Sequence, residues 1–171
     1  MKNVVGLFGT CGSSKWREET VIPILEAAGV EYFNPVVPEW NEEAQRNEVD
    51  HAANDNVILM AITGETSGIA SMAELGWQAA AAESKGRGMV IFLEDMPNDL
   101  KDETGASLRI NKCRALIRKY IAAHNSPKIV LASSLEDAAN QAVLMMELMG
   151  GIRSSLNNIL TALTEGDQTC V

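Results

Sequence analysis

The chain has 171 residues, 46% hydrophobic and 22% charged, which suits one soluble globular domain with a core of its own. A formal charge of -9 argues against a nucleic-acid-binding surface and leaves a small anionic ligand open where a local loop supplies donors. No apolar run approaches the ~20 residues of a membrane span, the stretch MKNVVGLFGTCG does not read as a signal peptide, and three scattered cysteines (Cys11, Cys113, Cys170) form no disulfide framework, so a cytoplasmic setting is expected.

In chain order, the first predicted element is a strand over 4–8, a continuous apolar run that ends in the loop GTCGSSKWR. Val21, Ile24, Leu25 and Ala28 then recur at helical spacing and stop at Gly29, with the regular helix starting shortly before Pro23. A short, more polar strand over 31–34 is expected at a sheet edge. A polar, acidic helix follows over 40–54. The next strand, 57–62, runs into TGETSGIASMAELGW and a helix over 71–84, whose Met72, Leu75, Ala79 and Ala82 share one face. A strand over 89–93 precedes a loop at 98–105, expected to be mobile. Cys113, Leu116, Ile117, Tyr120 and Ile121 then form an apolar helical stripe, and Arg109, Lys112, Arg114, Arg118 and Lys119 are assigned to that helix's solvated face. The last strand is Ile129–Ala132. A helix over 135–149 is expected to halt at Gly150-Gly151, before a C-terminal helix over 152–163 and a frayed tail over 164–171.

Strands read as unbroken Val/Ile/Leu runs when both their faces are buried, and they alternate here with helices. That predicts a single α/β domain over 1–171: a doubly wound, flavodoxin/Rossmann-like sheet of five parallel strands in the order 2-1-3-4-5, with helices on both faces. In such sheets ligands bind outside the carboxyl ends of the strands, where strand order reverses. Residues 9–17, 34–40 and 63–74 flank that point.

The first loop offers backbone N–H groups and a helix N-terminus to an anion through Gly9, Thr10, Cys11, Gly12, Ser13 and Ser14. It has neither the GxxxxGK[ST] nor the GxGxxG spacing, so neither a Walker loop nor a dinucleotide site is supported. In the second loop, FNPVVPEW, two prolines impose an extended path after Asn34, and Trp40 reads as core or interface. In the third, Ser71-x-x-Glu74 is a capping-box pattern that would fold Glu74 back onto its own helix. The alternative points Glu74 into the cleft, kept ionised by the helix N-terminus. His51 and His124 lack partners at ligand spacing, so no metal is expected, and no cofactor. Met145, Met146 and Met149 are expected in the core.

Taken together, GTCGSSKWR, FNPVVPEW and DNVILMAITGETSGIASMAELGW resemble the nucleoside 2-deoxyribosyltransferase-like superfamily, including its nucleotide N-glycosidase relatives, over residues 1–95. The resemblance implies a carboxylate nucleophile at Glu74 of AELG and a second acid at Asp55, which opens the third strand and orients the sugar or manages protons near the base. It implies substrate contacts from the first loop, including Trp16 and Arg17, and from Asn34, Ser67, Gly68 and Ser71. Ser67-Gly68 stands where classical transferases carry Asp-Gly. That departs from strict free-nucleoside transfer and leaves a 5′-phosphorylated substrate open. The implied activity is cleavage of the N-glycosidic bond of a (deoxy)nucleoside or its 5′-monophosphate, with the sugar passed to a second base or to water. The implied partner is that small molecule, in a homo-oligomer, with neither nucleic acid nor membrane involved. Two other readings stand beside it: a non-catalytic nucleotide-binding module with Glu74 as a cap, and a Cx5R phosphatase with Cys11 as thiolate and Arg17 as phosphate clamp.

Overall fold

The computed structural model describes residues 2–97 and 105–166, with the backbone alone at 153 and 156–166. Five strands form it, β1 (Lys2–Gly9), β2 (Tyr32–Phe33), β3 (Asp55–Ile62), β4 (Gly88–Leu93) and β5 (Ile129–Ala132). They are all parallel, in the order β2-β1-β3-β4-β5. This is the doubly wound α/β sheet that the apolar runs predict. β3 is central and every one of its residues is buried, as a strand covered on both faces must be.

The two faces carry separate cores. Val5, Leu7, Val57, Leu59 and Val90 point toward α1 (Ile22–Ala27) and α5 (Leu135–Gly166), where Ala138, Ala139, Ala142, Met145 and Met146 are buried. Phe8, Ile58, Met60, Ile62, Met89 and Ile91 point the other way, toward α3 (Ile69–Lys85) and α4 (Ala106–His124). α2 (Glu42–Asn54) flanks β1 and β3 on that second side through Ala52, and its N-cap Asn41 accepts a hydrogen bond from the Ala44 N–H.

The regular helix α1 starts at Ile22, just before Pro23, as the spacing predicts, and a π-helical turn over Arg17–Val21 runs directly into it. The turn's wide Ile22 N–H to Arg17 O bond sits just before Pro23, whose ring nitrogen has no proton to donate, so the ladder slackens where a donor is missing. Gly150-Gly151 does not halt α5, which continues to Gly166. A glycine costs a helix interior only ~1 kcal/mol, and the buried run through Met145 and Met146 already anchors the helix. Residues 167–171, the end of the expected frayed tail, and 98–104 of the expected mobile loop lie outside the described residues. On α4 the packed side is Ile117 and Ile121 with Arg114, while Leu116 and Tyr120 are exposed and so is Cys113. Arg114, assigned to the solvated face, is fully buried. Trp40 is 59% exposed and belongs to neither core.

Candidate active site

β1 ends at Gly9, where φ is +123° and an added Cβ would lie 1.9 Å from the Ala61 carbonyl oxygen; only glycine lets the chain turn out of the sheet there. The next residue locks the first loop to the third: the Thr10 N–H donates to Ala61 O at 2.8 Å, and Thr10 Oγ1 accepts from the Thr63 N–H at 2.9 Å. Trp16 is buried, and its indole N–H donates to Thr10 O at 2.8 Å. Arg17 is 1% exposed beneath the same loop. Its Nε donates to Leu7 O (3.2 Å), Nη1 to Thr10 O (2.7 Å) and Nη2 to Cys11 Sγ (3.8 Å), and its guanidinium lies 4.2 Å from the Trp16 ring centroid. A guanidinium so committed to main-chain carbonyls braces the loop.

The third loop is held from the far side. Arg114 Nη1 donates to Glu94 O, and Nη2 to Thr66 O (2.7 Å) and Ser67 O (3.1 Å). The Gly64 N–H donates to Glu94 Oε2 at 2.7 Å. α3 then starts from Gly68, which takes a left-handed φ of +58° and offers no side-chain cap. Ser71 therefore lies inside the helix and Glu74 in its second turn, so the capping-box pattern is not used as a cap.

These constraints close a cavity of about 270 Å³ at the carboxyl end of β1. Its lining brings together Gly9, Thr10, Cys11, Arg17, Ser71 and Glu74, with Phe8, Pro35, Thr66, Ala70 and Glu48 of α2. Gly12, Ser13, Ser14, Trp16, Asn34, Ser67 and Gly68 do not line it. Asn34 shapes the second loop by accepting a bond from the Val36 N–H at 3.1 Å, and Pro35 reaches the cavity wall.

Asp55 is not brought to Glu74. It opens β3 at the sheet's opposite end, fully buried, with His51 Nδ1 at 2.9 Å from its Oδ1. Phe8 Cε2 and Asp55 Oδ2 crowd the same space over Gly6, and it is the Phe8 ring that lines the cavity. Burial lifts the Asp55 carboxyl to about 6 despite His51, Lys2 and Arg87 nearby.

Burial also pushes the Glu74 carboxyl up, and Glu48 pushes it further; a hydrogen bond from Gln78 pulls the other way. The helix dipole acts within the first turn, which is why a second-turn carboxyl is not held low by it. Gln78, one turn on, is buried, and its Oε1 accepts from Arg87 Nη2. That contact fixes the amide so that its NH2 faces Glu74. Arg87 in turn donates to Ala52 O of α2. Gln78, Arg87, Arg114 and Glu48 were all missed from sequence. For the helical ones the signal was a polar residue on an inward stripe, as in Leu75-Gln78-Ala82, whereas Arg87, between α3 and β4, carries no such signal.

A family model described as nucleoside 2-deoxyribosyltransferase like matches residues 3–96, more than half of the chain. The chain belongs to the nucleoside 2-deoxyribosyltransferase-like family. No curated protein matches it. The family match runs from β1 into the segment after β4, and every residue lining the cavity falls inside it. Arg114, which braces the loop before α3 in this nucleoside 2-deoxyribosyltransferase-like chain, comes from outside the matched segment. Among the described residues no cluster of three His, Cys, Asp or Glu has the arrangement to hold a metal ion, and no helix is long and apolar enough to cross a membrane.

Proposed function

We propose that this protein cleaves the N-glycosidic bond of a (deoxy)nucleoside or nucleoside 5′-monophosphate, with Glu74 as nucleophile, and passes the sugar to a second base or to water. Breaking that bond builds positive charge on C1′ and the ring oxygen. A carboxylate beneath C1′ stabilises the charge and then forms a glycosyl ester. The reading rests on one observation: the Glu74 carboxyl lines the cavity beside the Gly9–Thr10–Cys11 loop, held by Gln78 and free of its own helix amides. The same observation disfavours a binding module in which Glu74 merely caps α3. The phosphatase reading is disfavoured by Arg17, whose donors go to Leu7, Thr10 and Cys11. The exposed Gly12 and Ser13 are suited to meet a 5′-phosphate.

The test is incubation with a panel of deoxynucleosides and their monophosphates, with and without an acceptor base, followed by chromatography. Free base alone identifies a hydrolase, and exchanged nucleoside a transferase. Glu74→Gln is expected to remove turnover while keeping ligand binding. Binding of a panel member without turnover by the wild-type chain would refute the reading.

A further inference from the structure

Glu48 is the other carboxyl group of the cavity. It sits midway along α2 on the stripe Ala44, Glu48, His51 and Ala52, all half-buried, while Asn47 and Val49 beside it are exposed. A helix packed on a sheet ordinarily turns apolar side chains inward. α2 has no fully buried residue, and its inward stripe sets a carboxyl in the cavity lining. α2 and α3 thus contribute one acid each to the same space. Arg17, also in the lining, pulls Glu48 toward ionisation, and burial pushes its carboxyl up more strongly. A carboxyl raised by burial holds its proton more readily than a free glutamate does, which suits a proton donor. The Asp55 carboxyl shares the space over Gly6 with the Phe8 ring and does not line the cavity.

We infer that Glu48 is the proton-transfer residue of this site, protonating the departing base and then accepting the proton of the incoming water or base. The assignment rests on the N-glycosidic reading above. In the first step the C1′–N bond breaks as a C1′–O bond to Glu74 forms. The bonding pair goes to the base, and a nitrogen of the base takes the Glu48 proton. In the second step an oxygen of water, or a nitrogen of the acceptor base, bonds to C1′. The ester C–O pair returns to Glu74, and the acceptor's proton goes to the Glu48 carboxylate. Both acids finish as they began.

The test compares the wild-type chain with Glu48→Gln on two substrates: a natural deoxynucleoside, and a nitrophenyl 2-deoxyriboside whose phenolate leaves without a proton. In Glu48→Gln, kcat/KM for the natural substrate is expected to fall about 100-fold or more, while the first burst of nitrophenolate stays within about threefold of wild type. Steady turnover of the nitrophenyl substrate then slows, and azide, which attacks C1′ without giving up a proton, restores it. Equal losses on both substrates, no loss on the natural one, or a slow steady state that azide leaves unchanged each overturn the assignment and leave Glu74 untouched. A wild-type chain that turns over neither substrate overturns the N-glycosidic reading itself. α2 buries no residue, so the variant is expected to keep the wild-type thermal midpoint.

Discussion

At the scale of single residues, the carboxyl of Glu74 depends on its neighbours more than on its helix. Burial and Glu48 raise it, and the Gln78 amide, oriented by Arg87, opposes them. Gln78→Leu removes the donor that favours the charged form. The acid limb of the kcat/KM profile is then expected to move to higher pH, and activity near neutrality to fall about tenfold, the worth of one hydrogen bond to a charged group. An unmoved acid limb would show that Gln78 does not act through Glu74. The sequence could not separate the two uses of Glu74, because Ser71-x-x-Glu74 satisfies a capping box as written. The choice turns on where α3 begins, and Gly68 begins it early enough to take Ser71 out of the cap position.

At the scale of elements, the site is a junction held by arginines. α4 reaches the loop before α3 through Arg114, which donates to Thr66 O, Ser67 O and Glu94 O from a fully buried position. Arg114→Met leaves those carbonyls without their charged donor and is expected to cost about 3 kcal/mol of stability, read as a lower unfolding midpoint. The loosened loop should also lower kcat/KM. Arg114→Lys should recover little, since one ammonium cannot reproduce a forked guanidinium. Periodicity alone placed Arg114 in water, because a charged side chain is ordinarily solvated. Here it is buried because its guanidinium donates to main-chain carbonyls just past the end of β4 and in the third loop. The uninterrupted α5 makes the same point: two glycines that read as a stop are carried by the packing of the rest of the helix.

At the scale of the whole molecule, Asp55 couples stability to pH. Its folded carboxyl titrates at about 6, above the ordinary 3.8, chiefly through burial. The folded state therefore holds this proton more tightly than the unfolded chain. The stabilisation is full below pH about 4 and is lost as pH rises toward 6. Asp50, Glu83, Glu136 and Asp137, all lowered by hydrogen bonds, contribute with the opposite sign. The comparison that isolates Asp55 is the unfolding midpoint of wild type against Asp55→Asn across pH 4 to 6. The variant's midpoint should gain on wild type as pH rises. Parallel curves would mean that Asp55 does not contribute this proton.

What the residues determined alone was the architecture and the neighbourhood of the chemistry. Unbroken apolar runs alternating with helical stripes allow essentially one kind of sheet, and the strand order 2-1-3-4-5 brings Gly9–Thr10–Cys11 and the Glu74 helix to one end of it. Those signals are local, either an unbroken short run or a stripe repeating about every four residues, so they can be read without coordinates. What tertiary structure decided was which polar groups share a space. Asp55, expected to orient the sugar or manage protons near the base, does not line the cavity, while Glu48 of α2 joins Glu74 in its lining and Gln78, beside Glu74, is held by Arg87. Such placement depends on how helices roll against the sheet and on which carbonyls a buried side chain reaches, and neither quantity is carried by spacing along the chain.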